Sequence, residues 1–273
     1  MMKATLACAA LASSLFALDP AFAQSSSDEA ESRTETKEPR RFRVGAGPQF
    51  VPNYPGSDKL NLQPFIDFSI TRGDKPFDFE APDEAAGFPL LRANGFEAGP
   101  AFNIEGGRKR EEVGADLDEI DTTIELGGFA QYWLTPGFRF RIDARKGVNG
   151  HEGWVGDAGF DLVARDGDDW LVSAGPRVTF ADQNYQQAYF GVNARESAAT
   201  GLPLYDPGGG LYSVAATVGG QYQFTQRWGV TGYAKYERLL DDAADSPVVD
   251  AFGSADQFSA GLALTYTFGS GVR

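Results

Sequence analysis

The chain has 273 residues, with 38 Asp and Glu against 24 Lys and Arg, for a formal charge of -14. That balance lacks the basic footprint nucleic-acid binding needs, and it offers no general attraction to anionic lipid surfaces. The single cysteine, Cys8, falls in an N-terminal targeting stretch, so the chain beyond it has no disulfide framework, no cysteine–zinc site and no cysteine nucleophile.

Residues 1–23 carry the marks of a signal peptide. Lys3 supplies a short positive start, Ala4 to Leu18 is almost uninterruptedly apolar, and Ala21-Phe22-Ala23 is an A-x-A site that predicts cleavage between Ala23 and Gln24. The apolar stretch is too short for a membrane-spanning helix, and too little of it precedes Cys8 for a lipid anchor there. Residues 24–40 (QSSSDEAESRTETKEPR) hold no apolar side chain larger than Ala. Such a segment cannot bury enough surface to offset its ordering entropy, which predicts a disordered, acidic periplasmic segment.

From residue 41 to 273 the character changes, and alternation of period two recurs. Phe138, Phe140, Ile142 and Ala144 share one parity, while Arg139, Arg141, Asp143 and Arg145 share the other. Ile124, Leu126, Ala130, Tyr132 and Leu134 alternate with Thr123, Glu125, Phe129, Gln131 and Trp133. The pattern returns in 60–70, 96–104, 154–164, 170–180, 212–224, 228–236 and 258–268. Runs of about 9–13 residues suit tilted strands that cross a bilayer. Many end in aromatics (Phe96, Trp133, Trp154, Trp170, Phe180, Tyr222, Phe224, Trp228, Tyr266, Phe268), as interfacial girdles require. Turn signals such as Asn94-Gly95, Thr135-Pro136-Gly137 and Asp166-Gly167-Asp168 separate neighbours. Thirty-three Gly and 21 Phe also suit a tightly curved, girdled sheet.

The fold expected is all-β: an antiparallel transmembrane outer-membrane β-barrel of about twelve strands. Strands are expected to start near 42, 60, 75, 95, 122, 138, 154, 169, 185, 210, 227 and 257. The stretch 75–91, broken by Pro76, Pro82 and Pro89, and the stretch 185–195 are the weakest, which leaves ten strands as the alternative. A soluble barrel would also alternate, but its strands are shorter and its apolar face fills the inside. Here the face opposite the smooth apolar one carries Glu125, Arg139, Arg141, Asp143, Arg145, Asp157, Asp161, Arg177, Lys235 and Glu237.

Nothing in the chain suggests catalysis, a cofactor or a metal. His151, the only histidine, sits in a Gly-rich turn, and there is no G-x-S-x-G elbow. The acidic groups at Asp116, Asp118, Glu119 and Asp121, and at Asp166, Asp168 and Asp169, lack the ligand spacing of a calcium loop and are expected as solvated turns. The charged strand face is more informative. Arg139, Arg141 and Arg145 are expected to meet Asp143 and Glu125 in a narrow lumen, either as an ion-paired plug or as the lining of a small solute path.

Two resemblances add to this reading. Ser259, Gly261, Leu264, Tyr266 and Phe268 resemble the polar, glycine and aromatic pattern of the last strand of bacterial outer-membrane proteins, which implies recognition by the barrel-assembly machinery. The extension Gly269 to Arg273 departs from that pattern, which usually stops at the final aromatic. Tyr189-Phe190-Gly191-Val192, the run Ser197 to Tyr205 and the run Arg238 to Val249 resemble segments of the MipA/OmpV family of outer-membrane proteins. Similar segments span about 42 to 268. The resemblance implies an outer-membrane protein that is not an enzyme but a scaffold linking a periplasmic lytic transglycosylase to a murein synthase. Porin-like and adhesin-like roles are the alternatives the family carries.

Overall fold

The computed structural model describes residues 38–269. The signal stretch 1–23, the Ala23–Gln24 site, residues 24–37 and residues 270–273 lie outside the described residues. The strands, in chain order, are β1 (Arg40–Pro52), β2 (Leu60–Arg72), β3 (Ala86–Gly87), β4 (Leu91–Ala93), β5 (Phe96–Glu105), β6 (Thr123–Thr135), β7 (Phe138–Gly147), β8 (Trp154–Asp166), β9 (Trp170–Ala181), β10 (Gly210–Gln223), β11 (Trp228–Leu239) and β12 (Asp256–Phe268). Short helices fill the connections: α1 (Arg110–Val113), α2 (Gln183–Phe190), α3 (Ala194–Thr200), α4 (Asp241–Ala244) and α5 (Pro247–Phe252).

All twelve strands join one antiparallel sheet in the order β2-β1-β12-β11-β10-β9-β8-β7-β6-β5-β3, with β4 also on β5. From β5 onward sequence neighbours pair, as do β1 and β2, and β1 pairs with β12 from Phe42↔Phe268 to Phe50↔Ala260, which curls the sheet around an interior. Glycine permits the tight curvature where strands crowd. A Cβ on Gly175 would stand 1.6 Å from the Phe160 carbonyl oxygen, and one on Gly127 would stand 1.9 Å from that of Ala144.

The connections sort by end. At one end lie 136–137, 167–169 and 224–227, together with the start of β1, the close of β12 and the connector 73–95, which folds inward; at the other lie 53–59, 106–122, 148–153, 182–209 and 240–255. Short turns at one end and long connections at the other are the outer-membrane pattern, with the short turns periplasmic. Aromatics mark both levels. Near the short turns, Phe96 faces Tyr132, Trp170 faces Tyr222 and Trp228 faces Tyr266; near the long connections, Tyr236 faces Phe258.

The alternation turns the molecule inside out relative to a soluble barrel. Leu62 is 61% exposed, Ile66 63%, Leu162 60% and Leu262 60%, whereas Glu125 and Arg139 are each 1% exposed and Thr265 is wholly buried. Only a surrounding hydrocarbon removes the cost of such an exterior. Ile142, at mid-strand on the outer face of β7, tests this. Ile142→Arg is expected to cost ~2–4 kcal/mol in urea unfolding of the bilayer-reconstituted protein. A cost near zero would mean this face does not meet lipid.

Two expected strands are not strands. The stretch 75–91 turns inward instead of crossing, and only β3 and β4 pair with β5. Its prolines cannot sustain a ladder, while Phe77, Phe79, Ala81 and Ala85 become buried. The stretch 185–195 forms α2 and the start of α3, nucleated by Asp182, whose side chain accepts from the Tyr185 N–H, and by Asn193, paired with Glu196 in a capping box. Ten strands of 10–14 residues therefore cross, starting within two residues of the ten corresponding expected positions. The long connections are not loose. Tyr54, Leu117, Tyr185, Tyr189, Phe190, Val192, Tyr212, Leu239, Val248 and Val249 form one buried cluster, a cap over the end of the barrel.

Candidate functional site

Parity on β7 sends Arg139, Arg141, Asp143 and Arg145 into the interior, and the register supplies their partners. Arg139 lies opposite Asp161, whereas Asp143 and Asp157, opposite one another, share Arg145 between them. Arg139 Nη2 stands 2.7 Å from Asp161 Oδ2 and 2.5 Å from Glu84 Oε2. Arg177 on β9 reaches the other Asp161 oxygen at 2.7 Å and Asp83 at 3.1 Å. Thr217 on β10 donates to Asp83 at 2.6 Å. Two carboxylates of the 73–85 connector are thus gripped by two arginines that share one strand aspartate. Arg141 lies 3.4 Å from Glu84, donates to the Ala85 carbonyl at 2.9 Å and stacks over the Phe129 ring at 4.1 Å. Every buried charge in this layer faces an opposite one, which is the condition for charges to persist away from water.

A second layer lies toward the cap. Arg145 contacts Asp143, Glu125 at 2.9 Å and Asp157 at 2.8 Å. Glu125 also accepts from Asn103 at 3.0 Å, and its Oε1 stands 3.0 Å from His151 Nε2. His151 Nδ1 accepts from the Gly153 N–H at 2.9 Å, so the neutral ring carries its proton on Nε2 and donates it to Glu125. His151 thus stays in its Gly-rich turn but is buried at the root of the cap, edge-on to Tyr185 with ring centres 4.7 Å apart. A cavity of about 300 Å³ separates this layer from the cap, with Glu105, Glu125, Arg145, Asp157, Lys235 and Glu237 among its walls.

The connector is anchored at its start as well. Asp168, in the turn between β8 and β9, accepts from the Phe77 N–H at 2.9 Å and pairs with Arg41 at 3.0 Å and Arg165 at 3.2 Å. The turn carboxylate expected as solvated is thus a fixed anchor. Trp133 faces inward and packs edge-on against Phe79 at 6.1 Å, so it does not belong to a girdle. In the other acidic group, Asp116 and Asp118 pair with Arg195 at 3.3 and 2.5 Å.

Glu80 differs from its neighbours. It lies in the connector, on the wall of a cavity, without an ion pair or hydrogen bond among the described residues. Its side chain opens onto that cavity, yet desolvation by the surrounding protein first, and then the nearby Glu84 and Asp67 carboxylates, push it up to about 7 against the opposing pull of Arg141 and Arg43. A carboxyl raised in the folded state favours folding while it is protonated. Its contribution is complete below the unfolded value and is lost as pH rises through about 7. Glu80→Gln is accordingly expected to raise the melting midpoint in detergent at pH 8 and to leave it nearly unchanged at pH 4.5. An equal shift at both values would contradict this.

In the cap, Arg108 is 1% exposed and donates to the carbonyls of Tyr189 at 2.7 Å and Asp118 at 3.1 Å. Ser246 donates to the Phe190 carbonyl at 2.7 Å. Burial holds the Tyr185 and Tyr189 hydroxyls above their ordinary range. On β12, Ser259 and Gly261 share the inward parity, while Leu264, Tyr266 and Phe268 lie on the outer one; Tyr266 stacks edge-on with both Trp228 and Phe268. Asp83, Glu84 and Arg108 have no counterpart among the residues expected from sequence.

The profile of the family described as MltA-interacting protein MipA matches residues 44–268. The chain belongs to that family. Over 79 residues, 29% of this chain and 32% of the relative, it is 38% identical to the MltA-interacting protein of Escherichia coli K12. Over 153 residues, 56% of this chain and 57% of the relative, it is 28% identical to the outer membrane protein OmpV of Vibrio cholerae. The matches thus span about a third and just over half of those relatives. Among solved structures, an outer-membrane channel of Pseudomonas putida F1 overlaps 89% of this chain and all of its own at a TM-score of 0.39 and 9% identity, too slight a likeness to carry weight. The MipA-family chain is an outer-membrane β-barrel, and its relatives' names denote outer-membrane and interacting proteins. The segments that resemble the family build the cap: Tyr189, Phe190, Val192, Leu239, Val248 and Val249 are each at most 4% exposed.

Proposed function

We propose that the protein is a non-enzymatic barrel, closed along its axis, that serves as a docking scaffold for cell-wall enzymes. The observation that carries the closed reading is the chain Glu84–Arg139–Asp161–Arg177–Asp83, which fastens the connector across the interior. Dismantling one member leaves another charge buried and unpaired, so the arrangement favours a fixed filling over a path that opens. In this reading residues 1–23 direct export with cleavage between Ala23 and Gln24, and 24–40 remains in the periplasm. Ser259, Gly261, Leu264, Tyr266 and Phe268 offer the last strand to the barrel-assembly machinery.

The partner class rests on family membership. A relative bears the name MltA-interacting protein, and the family reading supplies a lytic transglycosylase and a murein synthase as the docked pair. Immobilised full-length protein incubated with periplasmic and membrane extracts tests this. Retention of a murein-degrading activity together with a synthase is the expected result; retention of neither removes the scaffold role. The second reading, a narrow solute channel, draws on the charged cavity of about 300 Å³ beneath the cap.

A further inference from the structure

The wall is interrupted at one place. Among the described residues no backbone hydrogen bond joins the outer edge of β2 to β3, β4 or β5. Hydrocarbon offers nothing to a free peptide edge, so an edge at this depth demands a partner. A cavity of about 190 Å³ lies at the break, lined by Ile66 and Phe68 from the outer face of β2, Arg43 and Asp67 from the inner face, and Phe79 and Glu80 of the connector. Residues of both faces of β2 thus border it, alongside the connector and the inner faces of β9 to β11. Leu171 and Gln221 also border it, next to the girdle pair Trp170 and Tyr222, which sets it in the periplasmic half of the barrel.

The charges around the cavity are committed elsewhere, with one exception. Asp67 is held by Arg43 at 3.0 Å, Asp78 by Arg92 at 3.0 Å and Glu84 by Arg139 at 2.5 Å, whereas Glu80 has no such partner. A site with an apolar mouth, one uncommitted carboxylate and an unpaired row of peptide groups suits an amphipath that brings its own cation and its own acceptors. A strand from a second copy suits it less. Pro64 removes a donor from β2, and Pro89 interrupts the segment between β3 and β4.

We propose that this break is a lateral binding site for a phospholipid with a primary-amine headgroup, entering from the periplasmic leaflet. Its acyl chains lie along Ile66 and Phe68, its ammonium donates to Glu80, and its phosphate accepts from free N–H groups of β2. The raised acidity constant of Glu80 fits a carboxyl awaiting a counter-charge, which a bound ammonium would reverse. The site is independent of the docking role proposed above.

Native mass spectrometry of the purified full-length protein tests it, with dioleoyl phosphatidylethanolamine, phosphatidylcholine and phosphatidylglycerol supplied in equal amounts. One phosphatidylethanolamine retained about tenfold over phosphatidylcholine, whose quaternary amine has no N–H to donate, is expected from a charge-assisted hydrogen bond. Glu80→Gln is expected to bring that ratio to about one, while Leu162→Ala on the outer face of β8, away from the break, leaves it unchanged; gel heat-modifiability checks that both variants fold. Equal retention of the three lipids by the wild type overturns the proposal without recourse to any variant. A preference that survives Glu80→Gln also overturns it, as does a lipid-free dimer, which would assign the edge to a second copy.

Discussion

Arg139→Ala is expected to destabilise the barrel by ~3–5 kcal/mol, the usual cost of breaking a buried pair from one side. The guanidinium is 1% exposed, bridges Asp161 and Glu84, and stacks 4.5 Å above the Phe79 ring. Its loss leaves Asp161 to Arg177 alone and Glu84 to the more distant Arg141, and removes the platform beneath the Phe79 ring. Arg139→Lys is expected to recover only part of the loss, because an ammonium cannot grip two carboxylates in the planar fork geometry. Arg139→Met combined with Glu84→Gln should cost less than Arg139→Ala, since it removes both ends of one pair. Urea unfolding in micelles, followed by tryptophan emission, measures all three. A cost below ~1 kcal/mol for Arg139→Ala would mean that the connector is not clamped.

The second large effect concerns permeation. Replacing Phe79 to Glu84 by an equal number of Gly and Ser residues removes Asp83 and Glu84 from the interior along with the ring that packs on Trp133. Arg139 and Arg177 then share Asp161 alone, and the interior gains room for water. Discrete conductance steps in planar bilayers are expected from this variant, with a preference for anions set by the unmasked arginines. A variant that folds, judged by heat-modifiability, yet stays silent would place the closure in the cap instead.

Much of the wall was legible because a strand has a period of two, and a barrel reverses the usual meaning of its two faces. Arg139, Arg141, Asp143 and Arg145 could be placed on one face from parity alone, and Phe138 to Ala144 on the other. Parity failed in the connector because Phe77, Phe79 and Ala81 alternate with Asp78 and Glu80 as a strand would. Only Pro76, Pro82 and Pro89 signalled otherwise. For the same reason Asp83 and Glu84 went unnoticed as partners, since their arginines lie 55 and 94 residues away on β7 and β9. The helices over the cap had a local signal, the capping box of Asn193 with Glu196, which outweighs a short alternating run. The burial of His151 depended on contacts with Tyr185, Tyr189 and Glu125 that no local pattern encodes.

The resemblance and the fold meet in the cap. Segments such as Tyr189 to Val192 and Arg238 to Val249 are buried packing residues more than exposed recognition loops. Family likeness there reflects how the long connections pack over the barrel end. Docking on the periplasmic side would have to use the short turns and the polar leader.

Planar-bilayer recording on the intact protein reads out whether ion pairs and the inturned connector close this outer-membrane barrel along its axis. No conductance steps are expected from the wild type under salt and voltage at which the connector-replaced variant conducts. Steady open steps from the wild type would contradict that closure and would return the lumen charges to the role of a channel lining.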